Sequence, residues 1–206
     1  MKLYFSPASP YVRKVLASAF ELDLEHRIER VPCSVHVIRR DADVVGHNPL
    51  GQVPTLITDD GTVLYDSRVI CEYLDMLAGG GRLFPVGVDR RYRALTEQAA
   101  GDGLLDAAVL ARQELTLRPA DKVWEVWREA QIAKIVSALD RMQQWSGTFG
   151  DRVDIGTLTT ACALGYLEFR YADFDWRSGR ATLADWFQTF ARRPSIARTA
   201  PGERTS

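Results

Sequence analysis

The chain has 206 residues, 46% of them apolar and 26% charged, with a formal net charge of −1. A length of this order buries roughly 70% of the unfolded surface, so the composition excludes a disordered or fibrous chain and one that needs staples to fold. A near-neutral charge excludes general electrostatic steering toward nucleic acid or anionic lipid. No apolar run approaches the ~18 residues of a membrane span, and Met1–Phe5 breaks at Ser6-Pro7 before a signal-peptide core could form. Three well-separated cysteines, Cys33, Cys71 and Cys162, argue against a disulfide framework. The expectation is a cytoplasmic protein with no nucleic-acid or membrane partner.

Lys2–Phe5 reads as a short strand, and Ser9-Pro10 as a helix start, serine capping and proline at the first helical position. Val12, Val15, Leu16 and Ala19 follow at helical spacing. A second strand is expected over His26–Val31, ended by Pro32, then an irregular or short helical stretch from Cys33 to His47. Asp59-Asp60-Gly61 is a hairpin signal between strands at Pro54–Thr58 and Thr62–Tyr65. Asp66 is placed to cap a helix carrying Ile70, Tyr73, Leu74 and Leu77, which Gly79-Gly80-Gly81 stops.

Beyond Val88 the strand signals vanish. The composition shift places a boundary at residues 79 to 88, dividing the chain into domains 1–79 and 88–206. Helices are expected at Tyr92–Glu114, at Val123–Trp145 with a core stripe from Trp124, Trp127, Ile135, Ala138, Met142 and Trp145 interrupted by Gln131, at Thr157–Tyr171, and at Leu183–Phe190. Thr199–Ser206 reads as a loose tail.

Ser9-Pro10-Tyr11-Val12-Arg13, Asn48-Pro49-Leu50-Gly51-Gln52-Val53-Pro54 and Asp66-Ser67, in this order and spacing, resemble the glutathione S-transferase family in its bacterial serine-type branch. The resemblance covers essentially the whole chain. It implies an α/β thioredoxin-like N-terminal domain followed by an all-α helical-bundle C-terminal domain. It also implies a homodimer that binds glutathione as co-substrate without a metal and detoxifies small hydrophobic electrophiles.

By that resemblance Ser9 donates a hydrogen bond to the glutathione sulfur, with Ser6 a second candidate. Val53, before a cis Pro54, offers its backbone to the cysteinyl part, and Asp66-Ser67 holds the γ-glutamyl end at a helix N-terminus. Gln52 stands where the family often has lysine, so it meets the glycyl end by hydrogen bonds rather than by charge. His36 is a further candidate there. Asp102, Asp106, Ala107, Leu110 and Tyr166 are candidates to line an electrophile pocket. The family often has an aspartate three residues after the Ser/Thr cap of the helix beginning at Thr157, and here Thr160 stands there. Cys33-Ser34-Val35-His36 has no second pair at metal-ligand spacing, and Cys71 and Cys162 sit in apolar helical patterns as core residues. A serine at position 9 cannot form a mixed disulfide, which favours conjugation or a peroxidase reaction over thiol exchange. The rival readings are a non-catalytic binding or regulatory protein of the same fold and a glutathione-dependent isomerase or lyase.

Overall fold

A computed structural model describes residues 1–202. It divides into two compact units, Met1–Arg91 together with the stretch from Arg193 onward, and Tyr92–Arg192. The first unit holds β1 (Lys2–Phe5), α1 (Pro10–Glu21), β2 (Glu29–Pro32), α2 (Ala42–His47), β3 (Thr55–Ile57), β4 (Val63–Leu64) and α3 (Ser67–Leu77). The four strands order as β2-β1-β3-β4, with β1 parallel to β2 and antiparallel to β3, and β3 antiparallel to β4. Leu3 pairs with Leu56, and both are fully buried. Tyr4, one residue on, turns to the other face and packs with Cys33 and Val44. α1 and α3 pack side by side, and Ser18 Oγ donates to Cys71 Sγ at 3.4 Å between them.

The second strand begins three residues later than the sequence indicates, because Glu25–Arg27 closes a 3-10 turn before Glu29 comes level with Lys2. Pro32 is its last residue, level with Phe5, rather than a residue beyond it.

The helical unit contains α4 (Val88–Leu117, whose first turn belongs to the other unit), α5 (Glu125–Ser146), α6 (Ile155–Arg170) and α7 (Ala181–Phe190). The buried stripe of α5 is Gln131, Ile135, Leu139, Met142 and Ser146. Trp124 lies outside the helix at 64% exposure, so this tryptophan and Gln131 exchange the roles that hydrophobicity alone assigns them. The cap of α6 is Asp154, not Thr157. Asp154 accepts from the Gly156 and Thr157 N–H groups at 3.0 and 3.1 Å, and Thr157 Oγ1 accepts from the Asp154 N–H at 3.1 Å. This capping box makes Thr160 an ordinary buried helix residue that back-bonds to the Gly156 carbonyl.

Arg152 anchors that box, reaching Asp154 at 2.5 Å and both oxygens of Glu97 on α4 at 2.8 and 2.9 Å. Burial nonetheless keeps the Glu97 carboxyl above its ordinary range, outweighing the neighbouring Arg152. α4 and α6 meet closely enough that a Cβ on Gly156 would fall 2.5 Å from Glu97 Oε2 and 2.9 Å from the Ala94 carbonyl oxygen. Gly156→Ala is therefore expected to cost about 1–3 kcal/mol by overpacking. Gly103→Ala, whose Cβ meets nothing within 4 Å on the same helix α4, should instead stabilise by roughly 0.4–1 kcal/mol. Chemical denaturation of the two variants measures both signs.

A last helix, α8 (Pro194–Ala197), packs on α1. Residues 193–202 thus join the first unit, whereas the sequence assigned 88–206 to one helical domain. Paired polar contacts draw them there. Arg193 donates to both oxygens of Glu21 at 3.0 Å each, and Ser195 Oγ to one of them at 2.5 Å. Of the expected tail, 203–206 lies outside the described residues, while Thr199 Oγ1 bonds the Ser195 carbonyl at 2.6 Å.

Burial alone would raise the Glu21 carboxyl, but the Arg193 and Ser195 hydrogen bonds hold it below its ordinary value. A depressed folded-state value stabilises the fold above the unfolded value of ~4.3 and loses that stability as pH falls through the lower one. Glu21→Gln should accordingly melt below wild type at neutral pH, with the gap closing below about pH 4.3. Thermal melts across pH 7 to 3 check the sign.

Candidate functional site

The strand register gathers the candidate segments at one end of the sheet. β1 ends at Phe5, level with the end of β2 at Pro32, so Ser6–Ser9 and Cys33–His36 leave side by side. β3 runs the opposite way, its first residue Thr55 opposite Tyr4, so Gln52, Val53 and Pro54 enter at that same end. β4 reverses again, Leu64 opposite Leu56, so Tyr65, Asp66 and Ser67 leave there too.

Ser9 caps α1. Its Oγ accepts from the Val12 N–H at 3.3 Å and its own N–H donates to the Ser6 carbonyl at 3.1 Å. A hydroxyl accepts through its lone pairs while keeping its proton to donate elsewhere, so capping does not exhaust the group. Ser6 lies in the turn before the helix and presents its carbonyl to Ser9. Tyr4, another hydroxyl of this region, faces α2, where it lies 3.2 Å from His47 Nδ1.

The Val53–Pro54 peptide bond is cis, as expected from the sequence, and the Tyr65–Asp66 bond is cis as well. Val53 is half-buried and Pro54 buried, while Gln52 is exposed. Among the described residues no hydrogen bond takes up the Val53 N–H or C=O, which remain for solvent or a ligand. Asp66 caps α3, accepting from the Arg68 N–H at 2.9 Å, and Ser67 is the first helical residue, 2% exposed. The opening N–H groups of an 11-residue helix have no acceptor within it and favour an anion. His36 is partly committed already, since its Nδ1 accepts from the Ile38 and Arg39 N–H groups at 3.2 and 3.3 Å. That leaves Nε2, which makes no hydrogen bond among the described residues.

Asn48 and Arg40 are the residues whose part the sequence left unread. Asn48, 1% exposed, donates to the Gln52 carbonyl at 3.2 Å and to Thr55 Oγ1 at 2.9 Å, and accepts from the Leu50 N–H at 3.0 Å. Thr55 Oγ1 donates in turn to the Gln52 carbonyl at 2.8 Å. One buried amide therefore fixes the loop that delivers Val53. Asn48-Pro49 is a visible turn signal, although the Thr55 partner is not. Arg40 donates to the Pro49 carbonyl and lies over Gly51, where φ is +62° and an added Cβ would meet Arg40 Nε at 3.1 Å. A cation thus stands over the residue that precedes exposed Gln52.

In the helical unit Asp102, Ala107 and Tyr166 are buried, whereas Asp106 and Leu110 are exposed on α4. Burial raises the phenols of Tyr166 and Tyr171, the latter to about 12, and Tyr171 donates to the Ala108 carbonyl at 2.5 Å. Neither phenol exchanges protons near neutrality. Among the described residues no group of three or more His, Cys, Asp or Glu side chains is arranged to hold a metal ion.

The chain matches the family model "Glutathione S-transferase, N-terminal domain" over residues 8–77 and "Glutathione S-transferase, C-terminal domain" over 125–189. A curated relative, the uncharacterized GST-like protein YibF of Escherichia coli K12, is 33% identical over 205 residues, covering 98% of each chain. A crystal structure of a glutathione transferase family member from Pseudomonas fluorescens Pf-5 with bound glutathione superposes with a TM-score of 0.95 at 41% identity, covering 98% of both chains. A second structure from that organism, with bound S-(propanoic acid)-glutathione, gives 0.90 at 40% identity, covering 98% of this chain and 99% of the other. The protein belongs to the glutathione S-transferase family. Its fold is accordingly a thioredoxin-like unit followed by a helical one.

Removing the Asn48 amide would take one of two partners from the Gln52 carbonyl and from the Thr55 hydroxyl, which still bond each other, and the acceptor of the Leu50 N–H, at about 0.5–1.5 kcal/mol for each bond lost. Asn48→Ala is expected to lower the melting midpoint by that measure and to weaken retention on immobilised glutathione.

Proposed function

We propose that the protein is a cytoplasmic, homodimeric glutathione transferase that binds glutathione at the carboxyl end of β1, ionises its thiol and directs the sulfur at a small hydrophobic electrophile. The register carries this reading. From β1 to β4 is two strand steps, about 10 Å, close to the ~10–11 Å reach of three extended residues. A tripeptide bound where β3 begins has Ser9 on one side, within reach of its cysteinyl sulfur, and the α3 N-terminus on the other, within reach of its γ-glutamyl end. The glutathione-bound relative at 41% identity supports the ligand, and the S-substituted glutathione in its companion structure supports thioether formation.

In this proposal the cysteinyl backbone pairs with the Val53 N–H and C=O as one strand pairs with another. The γ-glutamyl carboxylate takes the first N–H groups of α3 and Ser67, while the Asp66 carboxylate, with lone pairs beyond the one its cap uses, receives the ammonium. The glycyl carboxylate meets Gln52, with Arg40 supplying the charge that glutamine lacks and His36 Nε2 a further donor.

Ser9 keeps its own proton and donates it in a hydrogen bond to the sulfur, and the α1 N-terminus adds positive potential. A charge-assisted bond contributes about 1.5–3 kcal/mol and a helix terminus about 0.3–1, together lowering a thiol of ordinary value ~8.5 by roughly 1 to 3 pH units. The thiol proton leaves to water. The sulfur then forms one bond to the electrophilic carbon, either displacing a leaving anion or adding to a polarised double bond that takes up a proton.

None of the three cysteines forms a disulfide, which suits a reducing compartment, and the exposed Val69 and Met76 of α3 offer apolar surface to a second copy. Detoxification is the role such an activity would serve.

Ser9→Ala is the direct test. Thiolate absorbance of bound glutathione should titrate at least about 1 pH unit higher, and kcat with a chlorodinitrobenzene-type acceptor should fall tenfold or more with a small change in KM for glutathione. An unmoved titration would remove Ser9 from the mechanism. Retention on glutathione resin without turnover on a broad acceptor panel would instead assign a binding module.

A further inference from the structure

The residues after α7 return to α1 and follow it. Besides the Glu21 contacts, the Arg198 guanidinium lies 5.3 Å from the centre of the Phe20 ring. Near the helix start, Arg13 Nη2 donates to the Ile196 carbonyl at 3.1 Å, and the Gly202 N–H reaches the Pro7 carbonyl at 3.3 Å. Pro7 lies in the turn that the Ser9 N–H closes onto the Ser6 carbonyl, and the Arg13 N–H donates to the Ser9 carbonyl at 3.0 Å. Ser9 is therefore held by its own helix, and the turn before it is contacted at Pro7 by a segment nearly two hundred residues away in sequence.

Arg13 is the unusual member of this set. It is only 6% exposed, and its Nε and Nη1 have no hydrogen-bond partner, so a buried cation is kept for one carbonyl bond. Placing a guanidinium in such surroundings is costly, and an apolar side chain of similar volume would do the packing. The one bond it does make fastens the returning segment.

We propose that Arg13 is a positioning residue for Ser9. It latches residues 194–202 along α1, so that the Gly202 N–H braces the Pro7 carbonyl and fixes the turn that aims the Ser9 hydroxyl. This inference rests on Ser9 as the sulfur contact. The device sets the direction of one hydroxyl, and misdirection of a reacting group by about 1 Å can cost up to 100-fold in rate.

Four full-length variants test it alongside Ser9→Ala. Arg13→Met removes the latch at similar volume, and Arg13→Lys keeps a single donor for the Ile196 carbonyl. Gly202→Pro deletes the N–H and also fixes φ there and narrows the backbone of Pro201, whereas Gly202→Ala keeps the N–H, with nothing within 4 Å of the added Cβ. The expectation is that Arg13→Met and Gly202→Pro raise the thiolate titration of bound glutathione and lower kcat about three- to tenfold, with KM for glutathione within about twofold. Arg13→Lys should recover part of the loss, and Gly202→Ala should match wild type. Wild-type titration and kcat in Gly202→Pro overturn the brace, even where Arg13→Met shifts them, because Arg13 would then act by its charge alone. If Arg13→Met fails to fold, the Gly202 pair decides. If Ser9→Ala leaves the titration unmoved, the reading of Ser9 falls and this inference with it; if only Ser9→Ala moves it, the inference alone falls.

Discussion

The pairing of β1 with both of its neighbours is the constraint on which the rest depends. A parallel partner on one side and an antiparallel one on the other mean that β1 and β2 end, and β3 begins, at one end of the sheet. β4 then adds its own end. Backbone hydrogen bonds set that coincidence, and a one-residue slip of β3 would turn buried Leu56 away from the core, so the register is strongly specified. Every candidate ligand contact in the first unit hangs from a strand end held in this way.

Local groups then shape what the sheet delivers. Asn48 ties the loop before β3 into a fixed course, and the caps Ser9 and Asp66 start α1 and α3 where their first N–H groups face the same end. Each cap residue has two uses. Its side chain satisfies one N–H of its helix, and lone pairs or a proton remain for a ligand, so fold stability and the proposed chemistry draw on the same atoms. The helical unit is built differently, around close approach at Gly101 and Gly156 and a buried Arg152–Glu97–Asp154 cluster that orients α6. Its polar core is a matter of folding rather than of reaction.

Much of this was legible from the chain. The caps Ser9 and Asp66, the Asp59-Asp60-Gly61 hairpin and the apolar faces of α1 and α3 are signals within a few residues of each other, where local physics decides. Misreadings fell where a partner lies far away in sequence. Trp124 reads as core by hydrophobicity but is exposed, and Gln131 reads as an interruption but is buried. Thr157 has the chemistry of a cap, yet Asp154 takes that place because Arg152 and Glu97 converge there. The start of β2 differs for a local reason, since Glu25–Arg27 closes a 3-10 turn over residues that also read as strand.

The sequence by itself determined the family and the order of the main elements, since capping, turn formation and apolar periodicity act over short stretches. Tertiary structure alone decided that the strand ends gather the candidate segments at one end of the sheet, that Arg40 lies over Gly51, and that residues 193–202 belong with α1. Those outcomes depend on groups meeting across separations that run from 9 residues for Arg40 and Pro49 to 172 for Glu21 and Arg193. Only the folded chain brings such partners within hydrogen-bond range.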